Sequence, residues 1–184
     1  MSNPPWVILD ACCIINLYAS EYMLAILSGL TQSVAVAAYV ERTESLYVLP
    51  NDTTHPLEKI DLQPAIAQNL LTVVDVDSSA EADLFIDLAA ALGDDGEAVT
   101  AAIAVQRIWQ MATDDRKTTN FLRRQFPELK LLSTPELVKI WVDTQSPDPA
   151  ECRVALQNIQ RRGSYTPAKN HLLYTWWLQH LQVL

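Results

Sequence analysis

The sequence predicts an α/β protein: a three-layer α/β/α arrangement around a central, mainly parallel sheet of four or five strands, with a short C-terminal helical extension. Three observations carry this expectation. Short apolar runs of the buried-strand type recur along the chain, each run is followed by a helix-forming segment, and acidic residues stand at the junctions between them. In an open α/β sheet, the carboxyl ends of the strands and the adjacent helix starts converge on one crevice. Junction carboxylates are therefore expected to face one another.

The elements follow in order. Val7 to Leu9 reads as a buried strand closed by Asp10, and Ala11 to Tyr18 as the helix after it. Tyr22 to Leu30 reads as a second helix and Val34 to Ala38 as a second strand. A helix is expected over Tyr39 to Tyr47, stopped by Pro50, with a loop from Pro50 to Pro56. Leu70 to Val76 is rich in β-branched residues and reads as a strand. Residues 79–92 place Leu84, Phe85, Leu88 and Leu92 at helical spacing. Gly93-Asp-Asp-Gly96 reads as a turn, with Asp95 capping a helix from Glu97 to about Gln106. A strand is expected over Ile108 to Ala112, a helix over Thr118 to Phe126 and a short strand over Leu129 to Leu132. Pro135 fits the first turn of a helix through Val142. Gln145-Ser-Pro-Asp-Pro149 marks a linker, so residues 1–144 form the main domain and residues 145–184 a helical extension, packed on that domain or on a partner. Within the extension, residues 150–161 and His171 to Leu181 read as amphipathic helices.

Bulk properties set the class. The 184 residues suffice for one well-packed domain, and 49% apolar content with four glycines describes a globular chain. Met1-Ser-Asn-Pro-Pro5 lacks the basic start and apolar run of a signal peptide. The most apolar window, Leu24 to Val40, is broken by polar residues and Gly29, short of the roughly 20 apolar residues a spanning helix needs. A cytoplasmic protein without a membrane partner is expected. Cys12 and Cys13 are adjacent and Cys152 is remote, which is neither a disulfide framework nor zinc-type spacing. The three read as small buried side chains, with a redox role for Cys12 and Cys13 as the lesser reading. The net charge of −9 is unevenly spread: two basic residues face fifteen acidic ones in residues 1–100, and eleven face seven in residues 101–184. An acidic pocket beside a modest basic surface fits this asymmetry, and so do solvated helix faces.

Four acidic points recur along the chain: Asp10 where a buried strand meets a helix, Glu41 or Glu44 after the second apolar run, the set Asp94, Asp95 and Glu97 opening an alanine-rich helix, and Asp114 or Asp115 after a further apolar stretch. Singly, each reads as a helix cap or a surface residue. Jointly they are costly, because two like charges 5 Å apart repel by about 3 kcal/mol at an effective dielectric near 20. Arg42 and Arg116 are the only neighbouring bases in sequence. A divalent cation with oxygen ligands, Mg²⁺ or Mn²⁺, resolves the repulsion. The histidines His55, His171 and His180 lie away from these points, and no glycine-rich phosphate loop is present. A phosphohydrolase using Asp10 as nucleophile is disfavoured, since Cys12 stands where a second carboxylate is usual.

These residues carry a resemblance. Val7-Ile-Leu-Asp10 with Ile14-Ile-Asn16, Tyr39-Val-Glu-Arg-Thr-Glu-Ser45, Gly93-Asp-Asp-Gly-Glu-Ala98 and Ala112-Thr-Asp-Asp115 resemble the PIN domain family, in particular its VapC-like toxin branch. The likeness spans residues 6 to about 142, and Ser133-Thr-Pro-Glu-Leu137 fits its C-terminal end. It implies a metal-dependent endoribonuclease that hydrolyses single-stranded RNA with Mg²⁺ or Mn²⁺. Asp10, Asn16, Glu44, Glu97 and Asp115 correspond to catalytic positions, with Asp10, Glu44, Glu97 and Asp114 or Asp115 as metal ligands. Glu44 fits the helical Glu of the family better than Glu41, and Asp94 or Asp95 stand in reserve for Glu97. The toxin branch implies an antitoxin protein as partner. Arg116, Lys117, Arg123 and Arg124 are candidates for substrate phosphate, or else simply solvate a helix. A non-catalytic interaction module, pairing with a partner or a homodimer through Leu172, Leu173, Trp176 and Trp177, is the competing class; those side chains read equally as core cover.

Overall fold

The computed structural model describes residues 5–44, 46–50, 54 and 56–182. Asn51, Asp52, Thr53 and His55 of the predicted loop, Ser45 of the Glu44 motif and Met1 to Pro4 lie outside the described residues. The chain forms two compact units. The first comprises residues 1–13, 31–44 and 62–133, and the second residues 14–30, 45–61 and 134–184.

The first unit holds a five-stranded, all-parallel sheet: β1 (Trp6–Leu9), β2 (Ser33–Ala37), β5 (Thr72–Val74), β6 (Gln110–Ala112) and β7 (Leu131–Leu132), in the order β5-β2-β1-β6-β7. The α/β class expected from the strand–helix alternation is the class observed, with helices flanking the sheet, consistent with three layers. β1 is central: Leu9 lies opposite Val36 on one side and Ala112 on the other. Val7, Ile8 and Leu9 are fully buried, as a strand covered on both faces requires. The chain steps outward from β1 to β2 and β5, then returns past β1 to β6 and β7. The strand order therefore reverses between β1 and β6, and the crevice at such a switch point is where α/β sheets place their ligands.

The return crossover runs through α5 (Ser79–Leu92) and α6 (Asp95–Gln106). Ser78 caps α5 by accepting from the Glu81 N–H at 3.2 Å, and Gly93 closes it in the left-handed conformation at φ +76°. Asp94 caps α6 by accepting from the Glu97 N–H at 2.9 Å. Ala98, Ala101, Ala102 and Ala104 let α6 approach β1, β2 and β6 closely, and α5 lies against α6. Arg107, just past α6, grips the buried Glu81 at 2.7 and 3.0 Å and the Asp75 carbonyl at 2.7 Å, and stands over Trp109, itself stacked on Trp6. α3 (Ala38–Thr43) follows β2, and α7 (Arg116–Gln125) follows β6.

In the second unit, β3 (Tyr47–Val48) and β4 (Glu58–Lys59) form an antiparallel ribbon. α2 (Met23–Gly29) packs on α8 (Thr134–Gln145), and α9 (Pro149–Arg162) packs on α10 (Tyr174–Gln182). The buried Arg162 donates to Glu21 at 2.7 Å, to Glu58 and to the Leu49 carbonyl. Trp177 is fully buried, edge-on to Tyr165, so that residue of the tail is core cover; Leu172 is exposed. α1 (Ala11–Ala19) begins in the first unit and ends in the second, and α4 (Gln63–Ala67) precedes β5. Among the described residues, no single helix is long and apolar enough to cross a membrane.

Several expectations are corrected. The helix predicted over 39–47 stops at Thr43, because Glu44 is extended (φ −78°, ψ 138°) and Tyr47–Val48 pair as a strand. Asp94, not Asp95, caps α6, which starts at Asp95 within the predicted turn. The strand expected from Ile108 begins at Gln110, since Ile108 has a positive φ of 55°. The last helix starts at Tyr174 rather than His171.

Removing Arg107 strands a carboxylate, Glu81, whose side chain is only 2% exposed. Because the guanidinium is itself partly solvated, Arg107→Ala is expected to destabilise the chain by about 2–4 kcal/mol in urea unfolding. Adding Glu81→Leu should restore much of that loss, whereas a cost unchanged by the second substitution would show that the pair is not its source.

Candidate metal centre

The site grows from the switch point. The Asp10 N–H donates to the Ala112 carbonyl at 2.9 Å, so the chain leaving β1 stays beside the chain leaving β6. Asp10 is 2% exposed. Its oxygens accept from Thr113 Oγ1 at 2.9 Å, from the Ala11 N–H at 2.8 Å and from Cys12 Sγ at 3.3 Å. Burial nevertheless holds its carboxyl above the usual carboxylate range, against those hydrogen bonds.

The other carboxylates arrive on α6, α7 and the end of α3. Glu97, in the first turn of α6, accepts from Thr118 Oγ1. Asp115 caps α7 by accepting from the Thr118 N–H at 2.7 Å, while its own N–H donates to Thr113 Oγ1 at 3.2 Å. Thr113 and Thr118 thus bind Asp10, Glu97 and Asp115 into one network. Glu44 reaches α6 over Gly96: a Cβ at Gly96 would fall 1.6 Å from Glu44 Oε1. Glycine at that point leaves the space the carboxyl occupies. Glu44 and Glu97 are both pushed up to about 7, first by burial, then by the charge of Asp10 together with Asp94 for each, Glu97 for Glu44 and Asp115 for Glu97; the Thr118 hydrogen bond opposes the rise at Glu97.

Elsewhere the unit buries a carboxylate differently. Glu81 is paired with Arg107, which holds its carboxyl below the usual range. Among the described residues, no lysine, arginine or histidine lies within ion-pair distance of Asp10, Glu44, Glu97 or Asp115. Glu41 differs, having Arg42 at 3.6 Å, which favours Glu44 over Glu41 at the centre. The carboxylates do not close into a bare ligand cage. Among the described residues, the one group of donor atoms all within 4.8 Å of one another is Cys12, Cys13 and Asp114. An all-oxygen set with wider spacing and no basic partner suits a cation that keeps part of its water shell, as Mg²⁺ does.

The remaining predicted site residues fall as follows. Asn16 belongs to the second unit, where its buried amide donates to Thr134 Oγ1 at 3.3 Å. Asp114 faces the thiols, with Cys13 Sγ at 3.5 Å from its Oδ2. Arg116, Arg123 and Arg124 are exposed on α7, and Lys117 donates to the Leu92 carbonyl. Sequence reasoning missed the roles of Thr118 and Gly96; the three-residue step from Asp115 to Thr118 was the available signal for the first. No family model matches the chain, and no curated protein matches it.

Two outcomes follow for stability. Raised carboxyls bind protons more tightly in the folded chain, so their contribution is complete below the ordinary value of 4.5 and lost as pH rises through about 7. Without divalent ions, the melting temperature is expected to fall between about pH 5 and about pH 8. Mn²⁺ at a hundred times its Kd should return about 2.7 kcal/mol at the higher pH, roughly 5–10 °C for a chain of this size, and little at the lower. A pH profile unmoved by Mn²⁺ would contradict a gathered centre. Gly96→Ala should keep or raise the melting temperature through helix propensity while weakening Mn²⁺ binding through displacement of Glu44; unchanged binding in calorimetry would remove Glu44 from the set.

Proposed function

We propose that the first unit is a metal-dependent endoribonuclease of PIN-like type, hydrolysing phosphodiester bonds of single-stranded RNA with Mg²⁺ or Mn²⁺. The observation that carries this reading is Asp10: a buried carboxylate at the switch point of a parallel sheet, whose charge acts on Glu44 and Glu97, with no lysine, arginine or histidine among the described residues within ion-pair distance. Asp10, Glu44, Glu97 and Asp115 would hold the ion. A bound divalent ion supplies a water of lowered pKa and offsets charge on the phosphate.

The chain's own side chains set the geometry. Thr113 orients Asp10 through the 2.9 Å bond to Oδ2 and braces the Asp115 amide. Thr118 fixes Glu97 with its hydroxyl and Asp115 with its N–H. The caps at Asp94 and Asp115 each use Oδ1. Arg116, Arg123 and Arg124 on α7, exposed, supply positive charge for backbone phosphates. Lys117 is spent on the end of α5, so it positions α7 rather than substrate. Single-stranded RNA suits an acidic crevice because unstacked nucleotides can enter singly.

Cleavage of a mixed single-stranded RNA pool in Mn²⁺ tests the reading. Asp10→Asn is expected to abolish it, and Thr113→Val to lower it by about 10–100-fold, as loss of a ligand's supporting hydrogen bond does. Metal binding without cleavage of any RNA would instead make the unit a non-catalytic binding module.

A further inference from the structure

A second set of donors stands beside the carboxylates and has different chemistry. Cys12 and Cys13, in the first turn of α1, and Asp114, just after β6, place two sulfurs and a carboxylate oxygen within 4.8 Å of one another. All three belong to the first unit. Adjacent helical residues point about 100° apart, so neighbouring sulfurs ordinarily diverge. Here the segment leaving β6 bridges them: Cys13 Sγ lies 3.5 Å from Asp114 Oδ2, and the Asp114 N–H donates to Cys12 Sγ at 3.1 Å. Cys12 and Asp114 are half-buried, which leaves a path from solvent, whereas Cys13 is fully buried.

We propose that Cys12, Cys13 and Asp114 form a zinc site, separate in its ligands from the carboxylate centre. Two thiolates and one carboxylate are a borderline-soft set that favours Zn²⁺ over Mg²⁺. Tetrahedral zinc, with bonds of roughly 2.3 Å to sulfur and about 2.0–2.2 Å to oxygen, needs donors about 3.5–3.8 Å apart. The three atoms must close by up to about 1 Å, within the reach of side-chain rotation. Water completes the fourth position. On binding, each thiol gives its proton to the buffer, so one Zn²⁺ replaces two protons and the net charge of the three ligands plus ion stays at about −1. Loading therefore adds no repulsion against a hard cation at Asp10, Glu97 and Asp115. It does remove the hydrogen bond that Cys12 Sγ donates to Asp10 Oδ2. The same division assigns Asp114 to the thiols and leaves Asp115 to the carboxylates.

The site stands independently of the nuclease reading, and its test uses no RNA. The reduced full-length chain is titrated with Co²⁺. A thiolate-to-cobalt charge-transfer band with tetrahedral d–d absorption is expected at one equivalent, bleached by Zn²⁺. Cys12→Ser and Cys13→Ala should each lose the band, and Asp114→Asn should weaken Zn²⁺ binding by at least about tenfold. Cys152→Ser, altered in the second unit, and Glu97→Gln, altered in the carboxylate centre, should retain it. X-ray absorption of the zinc-loaded wild type gives a readout that no unfolded variant can confuse: two sulfur neighbours are expected. A shell of oxygen and nitrogen alone, no charge-transfer band in the reduced wild type, or a band that survives both cysteine substitutions would overturn the proposal.

Discussion

The parallel pairing of β1 with β6 is the constraint on which the site depends. It sets Leu9 opposite Ala112, so the two segments leaving the sheet begin side by side and carry Asp10 and Thr113 to Asp115 with them. The Asp10 N–H bond to the Ala112 carbonyl and the Thr113 bond back to Asp10 then tie the segments beyond the last strand pair. A slip of one residue between β1 and β6 would part the Asp10 N–H from the Ala112 carbonyl and Thr113 from the Asp10 carboxylate. The register is thus marked by these hydrogen bonds, and its consequence is electrostatic.

That consequence is a concentration of negative charge with no basic partner among the described residues. The fold neutralises buried charge elsewhere: the buried Glu81 has Arg107, and the buried Arg162 pairs with the exposed Glu21 and Glu58. At the switch point the donors among the described residues are hydroxyl, thiol and amide groups. Such donors orient carboxylates without neutralising them, and burial first, then the charge of neighbouring carboxylates, lets Glu44 and Glu97 hold protons up to about neutral pH. A divalent ion would take the place of those protons. Opposed demands of this kind, with local stability yielded to gather like charges, are typical of functional centres rather than of packing.

Much of this was legible in the amino-acid order, and for definite reasons. Asp10 and Asp115 each stand where an apolar run gives way to a helix, and Glu97 stands in the first turn of the alanine-rich helix α6, positions that the geometry of α/β sheets brings to one crevice whatever the distances in sequence. Glu44 was legible by its place in the motif but not by its conformation, since it lies one residue beyond α3 rather than within it. The β3–β4 ribbon and α4 were missed because two-residue strands and a five-residue helix are too short to show a period. The thiol cluster was illegible for another reason. Neighbouring cysteines have no zinc-type spacing, and their third partner lies 101 residues from Cys13, joined to it only by the β1–β6 pairing. In the tail, burial of Trp177 could not be read from an apolar helix that serves equally as core or as interface.

The central claim, that the carboxylates gathered at the β1–β6 switch point hold a divalent cation, is most directly tested by anomalous diffraction from crystals of the full chain grown with Mn²⁺. A manganese peak among Asp10, Glu44, Glu97 and Asp115, with part of its coordination filled by water, is the expected result. Well-ordered density in which those carboxylates remain apart, with no manganese between them at saturating concentration, would contradict the account.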